Sequence, residues 1–455
     1  MGSFLGSAVA FVVAIAVLVA IHEYGHYAIA RAFGVKVLRF SIGFGRPLWL
    51  RRGGPDGTEY CVSAIPLGGY VKLLDERDCD VPFAERDRAF NRQSPGARIA
   101  ILAAGPAFNL AFAVLAYWLM FMAGVPGTKP VVGEVTAGSP AALAGLRSAD
   151  ELLRVAGRPV FTWEGATLAM LDAVLAGDGI ALEVRGRDGA SRDLRLPTAG
   201  REAELTEPGR LFAGLGFRTW APELPAVIGE LVPGGPAEQA GLRPDDRITA
   251  IDGEPVAGWE AVVDRVRASP GRQLVLDVRR GVADLRVELA VERAVVDGAE
   301  RGRIGAAVRV PMAEFEAMRA VERYGPLPAL GRAVGRTWEM SALTLRMMGR
   351  MVIGDVSPKN ISGPINIAQY AGASAAVGPT AFLAFLAIVS ISLGVLNLLP
   401  VPMLDGGQIV YTLAEAAKGS PLSERAQAVG QQVGIFLLLL LMTFAFYNDL
   451  SRLLG

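Results

Sequence analysis

Long uncharged stretches divide the chain. Residues 1–21 carry no charged side chain. Residues 99–128, 360–404 and 426–448 are uncharged between Arg98 and Lys129, Lys359 and Asp405, and Arg425 and Asp449. A helix of about 20 apolar residues crosses a bilayer. The pattern therefore predicts four spans: 4–33, one within 99–128, one at 379–400 and one within 426–448. A cleaved signal peptide is the alternative for the first. It fails because no Lys or Arg precedes Arg31, and cleavage would strand the histidines described below. The second span contains Gly105, Pro106 and Asn109, small and polar residues suited to helix–helix packing in lipid.

Between the spans the periodicity changes. Residues 35–50 and 59–74 alternate apolar and polar, with strand formers such as Val35, Val37, Phe40, Tyr60, Val62 and Ile65. Gly53-Gly54-Pro55-Asp56-Gly57 lies between them, so a hairpin is predicted. Residues 131–164 recur at 227–260 with a constant offset of 96, and 16 of the 34 positions are identical. Each unit is near 90 residues, which suits two small domains better than a solenoid. In each unit Ser139-Pro140 or Gly235-Pro236 opens a short helix and Gly145-Leu146 or Gly241-Leu242 ends it, with strands following. Beyond the repeats, Met340 to Ile353 is patterned as an amphipathic surface helix, and Asp355 to Ala371 is predicted irregular around Pro358, Gly363 and Pro364.

Hydrophobic residues make up 52% of the 455, yet charged residues still make up 20%, so the spans carry a sizeable polar part. Net charge is zero, and nothing points to nucleic acid. Cys61 and Cys79 are too few for a disulfide framework or a cysteine metal site, and read as free thiols. Residues 31–98 hold twelve Lys or Arg, whereas the tail before Arg31 has none. By the positive-inside rule this first loop is cytoplasmic, and the N-terminus and the repeats lie outside. The end of span one and the end of span three then share one side of the membrane.

Against that frame, His22-Glu23-Tyr24-Gly25-His26 takes on meaning. It reads H-E-x-x-H near the end of the first span and contains the only two histidines of the chain. On a helix, residues four apart share a face, so both imidazoles can hold one metal ion, and Glu23 can reach a water in an open position. A carboxylate at membrane depth is costly and marks a functional site. A catalytic zinc has three protein ligands, and no third His exists, so Asp, Glu or Cys must supply the third. Asp405, in Asn397-Leu398-Leu399-Pro400-Val401-Pro402-Met403-Leu404-Asp405-Gly406-Gly407, is the strongest candidate. A helix N-cap or an Asp-Gly turn is the other explanation of Asp405.

These two motifs resemble the site-2 protease family of intramembrane metalloproteases. The resemblance extends over nearly the whole chain, through Ser41-Ile42-Gly43-Phe44-Gly45, Pro66 to Lys72, Ala104-Gly105-Pro106 with Asn109, and Ser362-Gly363-Pro364-Ile365. The repeats in turn resemble bacterial PDZ domains, which bind peptides at a strand–helix groove or serve as packing modules. The implied fold is a membrane protein, α-helical with four transmembrane helices, an inserted β-hairpin region and two tandem PDZ-like α+β domains. Its parts are helix one with the metal motif at 1–33, a membrane-associated β loop at 34–96 and helix two at 97–126. PDZ-like domains follow at 127–220 and 221–312, then a linker with the amphipathic helix at 313–378. Helix three occupies 379–400, the metal-ligand loop 401–425, and helix four with the tail 426–455.

The resemblance implies Zn2+ held by His22, His26 and Asp405, with Glu23 as catalytic residue. It assigns Asn397, Pro400, Pro402, Gly43 and Gly45 to substrate binding, with the β loop dipping toward the active site to pair with an unwound substrate. The implied substrate is a membrane-embedded protein, such as an anti-sigma factor already trimmed outside by another protease, or a remnant signal peptide. The implied setting is a bacterial inner membrane, multi-pass in the lipid bilayer, with the PDZ-like domains in the periplasm. No signal for an oligomeric state is present. Two alternatives are weighed. A soluble zincin with a membrane anchor, using Glu59 as third ligand, would place its motif outside the apolar segment. A catalytically inactive PDZ scaffold in the membrane would have no need of Glu23.

Overall fold

The computed structural model describes residues 2–78, 80–296 and 299–454; Cys79 lies outside these, and Cys61 is a buried free thiol. Helix α1 (Gly2–Ala32) leads into strands β1 (Val37–Gly53) and β2 (Thr58–Leu73), then helix α2 (Pro95–Ala123). The repeat region carries α3 (Trp163–Ala176) and α4 (Trp259–Arg267) among its strands. The chain closes with α5 (Pro326–Val352), α6 (Pro364–Val377), α7 (Pro379–Asn397), α8 (Asp405–Lys418) and α9 (Glu424–Leu454). Among the described residues, four helices are long and apolar enough to cross a membrane, and they are α1, α2, α7 and α9.

Helix α2 starts where Ser94 accepts the Ala97 N–H at 3.3 Å and Pro95 takes the first position, where no N–H is needed. It crosses α1 at glycines. A Cβ on Gly25 would lie 2.5 Å from the Ala104 carbonyl oxygen and 3.1 Å from the Gly105 Cα, so only hydrogen permits this approach. On its other side α2 packs its buried Ala113, Ala116 and Tyr117 against α7 and the first half of α5, which contribute Ala387, Ile391, Ala329 and Ala333.

The hairpin is folded twice. Strand β1 pairs with β2 on both edges: Ile42 lies opposite both Gly69 and Val62, and Arg39 opposite both Lys72 and Glu59. The tip closes where predicted, with Gly53 opposite Thr58. The result is four short strand segments in one sheet, bent at 43–46 and 64–68.

The two repeat units have one topology. The first builds a four-stranded sheet in the order 158–159, 151–155, 180–185, 191–196, and the second in the order 254–255, 247–251, 273–280, 283–290. The match reaches the backbone. Among the described residues, the non-glycine positions with positive φ are Ala149 and Asp245, and Ala156 and Asp252, two pairs separated by the repeat offset. Each unit also ties its turn with one carboxylate. Asp150 accepts from the Arg147 N–H and Arg192, and Asp246 from the Arg243 N–H and both Nε and Nη2 of Arg280.

Of two expectations about 311–375, one is extended and one is corrected. The amphipathic stretch from Met340 is helical as expected but is only the second half of a helix that begins at Pro326, whose first half is packed against α2. The segment predicted irregular up to Ala371 becomes helical from Pro364. The cause is distant. The buried Asp449 carboxylate, on α9, accepts the N–H groups of Gly363, Ile365 and Asn366 at 2.9, 2.9 and 3.2 Å. A cap supplied from another helix leaves no local sequence mark.

The second unit should carry an acid-sensitive clasp. Burial raises the Asp246 carboxyl, but Arg280 and the Arg243 N–H outweigh it and hold the group below the ordinary carboxylate range. A lowered folded value contributes stability that is complete above the unfolded value of about 4 and is lost as pH falls through the folded one. Hydrogen exchange of 226–308 in the full chain should show protection falling below about pH 4. Asp246→Asn should flatten that dependence.

Candidate active site

The last turns of α1 and the first turn of α8 meet. His22 Nε2 lies 3.2 Å from His26 Nε2 and 3.2 Å from Asp405 Oδ2, and His26 Nε2 lies 3.5 Å from Asp405 Oδ1. One donor atom from each residue falls within 4.8 Å of the others. In a tetrahedral zinc site with bonds of about 2.0–2.1 Å, neighbouring ligand atoms sit roughly 3.4 Å apart. The donor set fits zinc in a further respect. Asp405 Oδ2 is buried yet accepts no hydrogen bond, and a buried carboxylate oxygen needs a cationic or donor partner.

Helix α2 backs both imidazoles, and a tight loop holds Asp405. His26 Nδ1 is 2.9 Å from the Ile101 carbonyl of α2, and His22 Nδ1 is 3.1 Å from the Asn109 side chain of the same helix. A Cβ on Gly105 would overlap His26 Nε2 and lie 2.8 Å from His22 Nε2, so α2 passes directly behind both rings. Asp405 is the first residue of α8 and not its cap, which is Leu404. The loop before it is closed by Leu404 N–H to the Val401 carbonyl at 2.8 Å and by Gln408 Nε2 to the Pro402 carbonyl at 3.1 Å. Gly406 and Gly407 are buried beneath this loop, where a Cβ on either would overlap the backbone of Leu398 and Leu399 or of Val401.

Glu23 faces the hairpin. The Gly69 backbone comes so close to it that a Cβ there would lie 3.2 Å from Glu23 Cγ. The 69–73 segment pairs with β1 on one edge, and among the described strands its other edge is unpaired. Gly43 and Gly45 lie at the bend of β1, where Phe44 stacks on Tyr70 at 6.2 Å between ring centroids. Asn397 ends α7, half-buried, and Pro400 and Pro402 lie in the loop that leads to Asp405. Glu59 pairs with Arg39 and Arg52 at 2.6 and 2.7 Å within the hairpin, which removes it as third ligand. Sequence patterns did not single out the Ile101 carbonyl or Gly69 as neighbours of the motif. Gly69 lies within the Pro66 to Lys72 stretch that carries the resemblance, whereas a backbone carbonyl such as that of Ile101 leaves no mark in a sequence.

Residues 10–441 match peptidase family M50. The chain belongs to that family, the site-2 proteases, and is a zinc-dependent intramembrane protease. It is 42% identical over 456 residues to the regulator of sigma-E protease RseP of Escherichia coli, covering 99% of this chain and 100% of the relative. Protease RseP of Yersinia pestis is 40% identical over 458 residues, with 100% of both chains covered. A Neisseria meningitidis protein whose provisional name is zinc metalloprotease is 43% identical over 455 residues, covering 98% and 99%.

Gly105→Ala should disturb the site without touching a ligand. The added methyl must push both imidazoles away, and a misplacement near 1 Å costs roughly 100-fold in rate. Purified Gly105→Ala protein should retain less zinc than wild type and cleave a membrane substrate at least ~10-fold more slowly. Wild-type zinc content and rate would show that α2 can yield there.

Proposed function

We propose that His22, His26 and Asp405 are the zinc ligands of this protease and that Glu23 is its catalytic base. The observation that carries this is the meeting of two Nε2 atoms and one carboxylate, from opposite ends of the chain, at spacings of 3.2, 3.2 and 3.5 Å. When bound, zinc supplies Lewis acidity to water and to the scissile carbonyl. Glu23, packed against the Gly69 backbone, takes the proton of the attacking water and delivers it to the leaving amine.

The free edge of 69–73 receives the substrate as an added strand, bonded through its backbone. A helical substrate must unwind first, because its carbonyls are occupied by helical hydrogen bonds. Gly43 and Gly45 shape the bend beside this edge, and Asn397, Pro400 and Pro402 line the approach from the Asp405 side. The substrate is a single-pass membrane protein of the anti-sigma factor type, with remnant signal peptides as a second class. Support comes from relatives named as regulators of sigma E. The setting is the bacterial inner membrane, with the N-terminus and both repeat units in the periplasm. The repeat units are PDZ-like domains that restrict access by size, a role supported by every proposed catalytic residue lying outside 127–310.

Two measurements test this. Glu23→Gln should keep zinc and lose cleavage by about 10²–10⁴-fold, whereas Asp405→Ala should lose both zinc and cleavage. Full zinc in Asp405→Ala would remove it from the ligand set, and cleavage by Glu23→Gln would remove the base. For orientation, Asp188→Cys in the exposed 186–190 turn, in a chain with Cys61→Ser and Cys79→Ser, should react with an impermeant thiol reagent once the outer membrane is opened. Reaction only after inner-membrane lysis would invert the topology.

A further inference from the structure

The two imidazoles are backed by different groups. The Ile101 carbonyl behind His26 can only accept, so His26 Nδ1 carries the hydrogen and its Nε2 presents a lone pair. The group behind His22 is the Asn109 side-chain amide, which can donate or accept. Asn109 is fully buried in α2, and no other side chain is within bonding distance of its amide among the described residues. Its backbone is fixed from α7. Ser390 Oγ donates to the Asn109 carbonyl at 2.9 Å, and a Cβ on Gly394 would lie 3.4 Å from Asn109 Cβ.

The nearer amide atom is Nδ2, and Oδ1 is buried without a partner. If Nδ2 donated to His22 Nδ1, the ring hydrogen would sit on Nε2, and Nε2 could not ligate. A half-turn about the Cβ–Cγ bond exchanges the two nearly isosteric atoms. One amide atom lacks a partner in either orientation, so the bond to His22 decides. A His22 that ligates through Nε2 must carry Nδ1–H, and that hydrogen needs an acceptor.

We propose that Asn109 is a positioning residue of the metal site. Its Oδ1 accepts the hydrogen of His22 Nδ1, fixing the tautomer and the ring plane that leave Nε2 free for zinc. Asn109 then does for His22 what the Ile101 carbonyl does for His26, so both backing groups come from one face of α2. This rests on the assignment of His22 as a ligand.

The test is zinc affinity, measured by chelator competition on the purified full-length protein. Asn109→Leu keeps the shape and removes the acceptor, and should weaken zinc about 10–100-fold. Asn109→Asp keeps the shape and offers only acceptors, and should bind zinc at least as tightly as wild type. The cobalt-substituted protein gives a second readout, with a visible spectrum changed in the Leu variant and preserved in the Asp variant. Affinity of Asn109→Leu within twofold of wild type overturns the proposal, as does an Asp variant weakened tenfold or more. If the Leu variant does not fold, the Asp variant alone decides. His22→Ala separates the two levels: unchanged zinc affinity there removes the ligand assignment itself, whereas a tenfold loss beside an unaffected Asn109→Leu removes only the positioning role.

Discussion

The close approach of α1 and α2 is the constraint on which the site depends. In lipid there is no hydrophobic force between helices, so they associate through packing and polar contacts. Gly25 and Gly105 remove the side chains that would hold the two backbones apart. Only at that separation can the Ile101 carbonyl reach His26, and the Asn109 amide reach His22, from one face of α2. Side chains of ordinary size at the crossing would leave both imidazoles without backing groups and free to turn. The motif on α1 supplies the proposed ligands, and α2 supplies the groups that back their rings.

Electrostatics then explains why the proposed third ligand can come from so far along the chain. A carboxylate near membrane depth is expensive when unpaired. Asp405 is held at the start of α8 by a loop too tightly folded to turn it elsewhere, and its Oδ2 has no hydrogen-bond partner. With the proposed ligands, zinc would relieve that cost and join α1 to α8, so metal affinity would be partly folding energy of the helix bundle. Arg98 and Glu415, both largely buried and 2.8 Å apart, tie the far end of α8 to α2 as well. Helix α2 is thus fixed to both helices that carry the proposed ligands, by the glycine crossing on one side and by this ion pair on the other.

Much of this could be read from residues alone, and the exceptions share a cause. Both histidines stand inside one motif, and the uncharged runs mark the spans, because charge is too costly in lipid to be placed casually. The hairpin was readable from its alternation and its glycine-rich tip. Its double pairing was not, because alternation shows which residues share a face but not which strand segment lies on which edge. Asp150 and Asp246 are visible as repeated positions, yet their partners Arg192 and Arg280 are not in register with the 96-residue offset, so the repeat did not reveal the clasp. The 364–377 helix was missed because its cap, Asp449, sits on the last helix. In each case the deciding partner is remote in sequence, and only local pattern is open to a sequence.

The same limit hides how the two repeats differ. Glu164 and Glu260 are equivalent positions, as are Asp172 and Ala268. In the first unit Glu164 meets the buried Arg336 at 2.7 Å, and Asp172 meets Arg346 at 2.5 Å, both on α5. Arg350 adds a bond of 2.8 Å to the Leu175 carbonyl. Single exposed ion pairs are worth little, but here three arginines on one helix engage one domain, and Arg336 is removed from water. The first half of α5 is itself packed on α2. The first unit is thereby coupled through α5 to the helix that orients the imidazoles. The second unit has alanine where the first has Asp172, and it lacks that anchor. Of the two repeated folds, it is the first whose Glu164 and Asp172 pair with arginines of α5, the helix packed on α2.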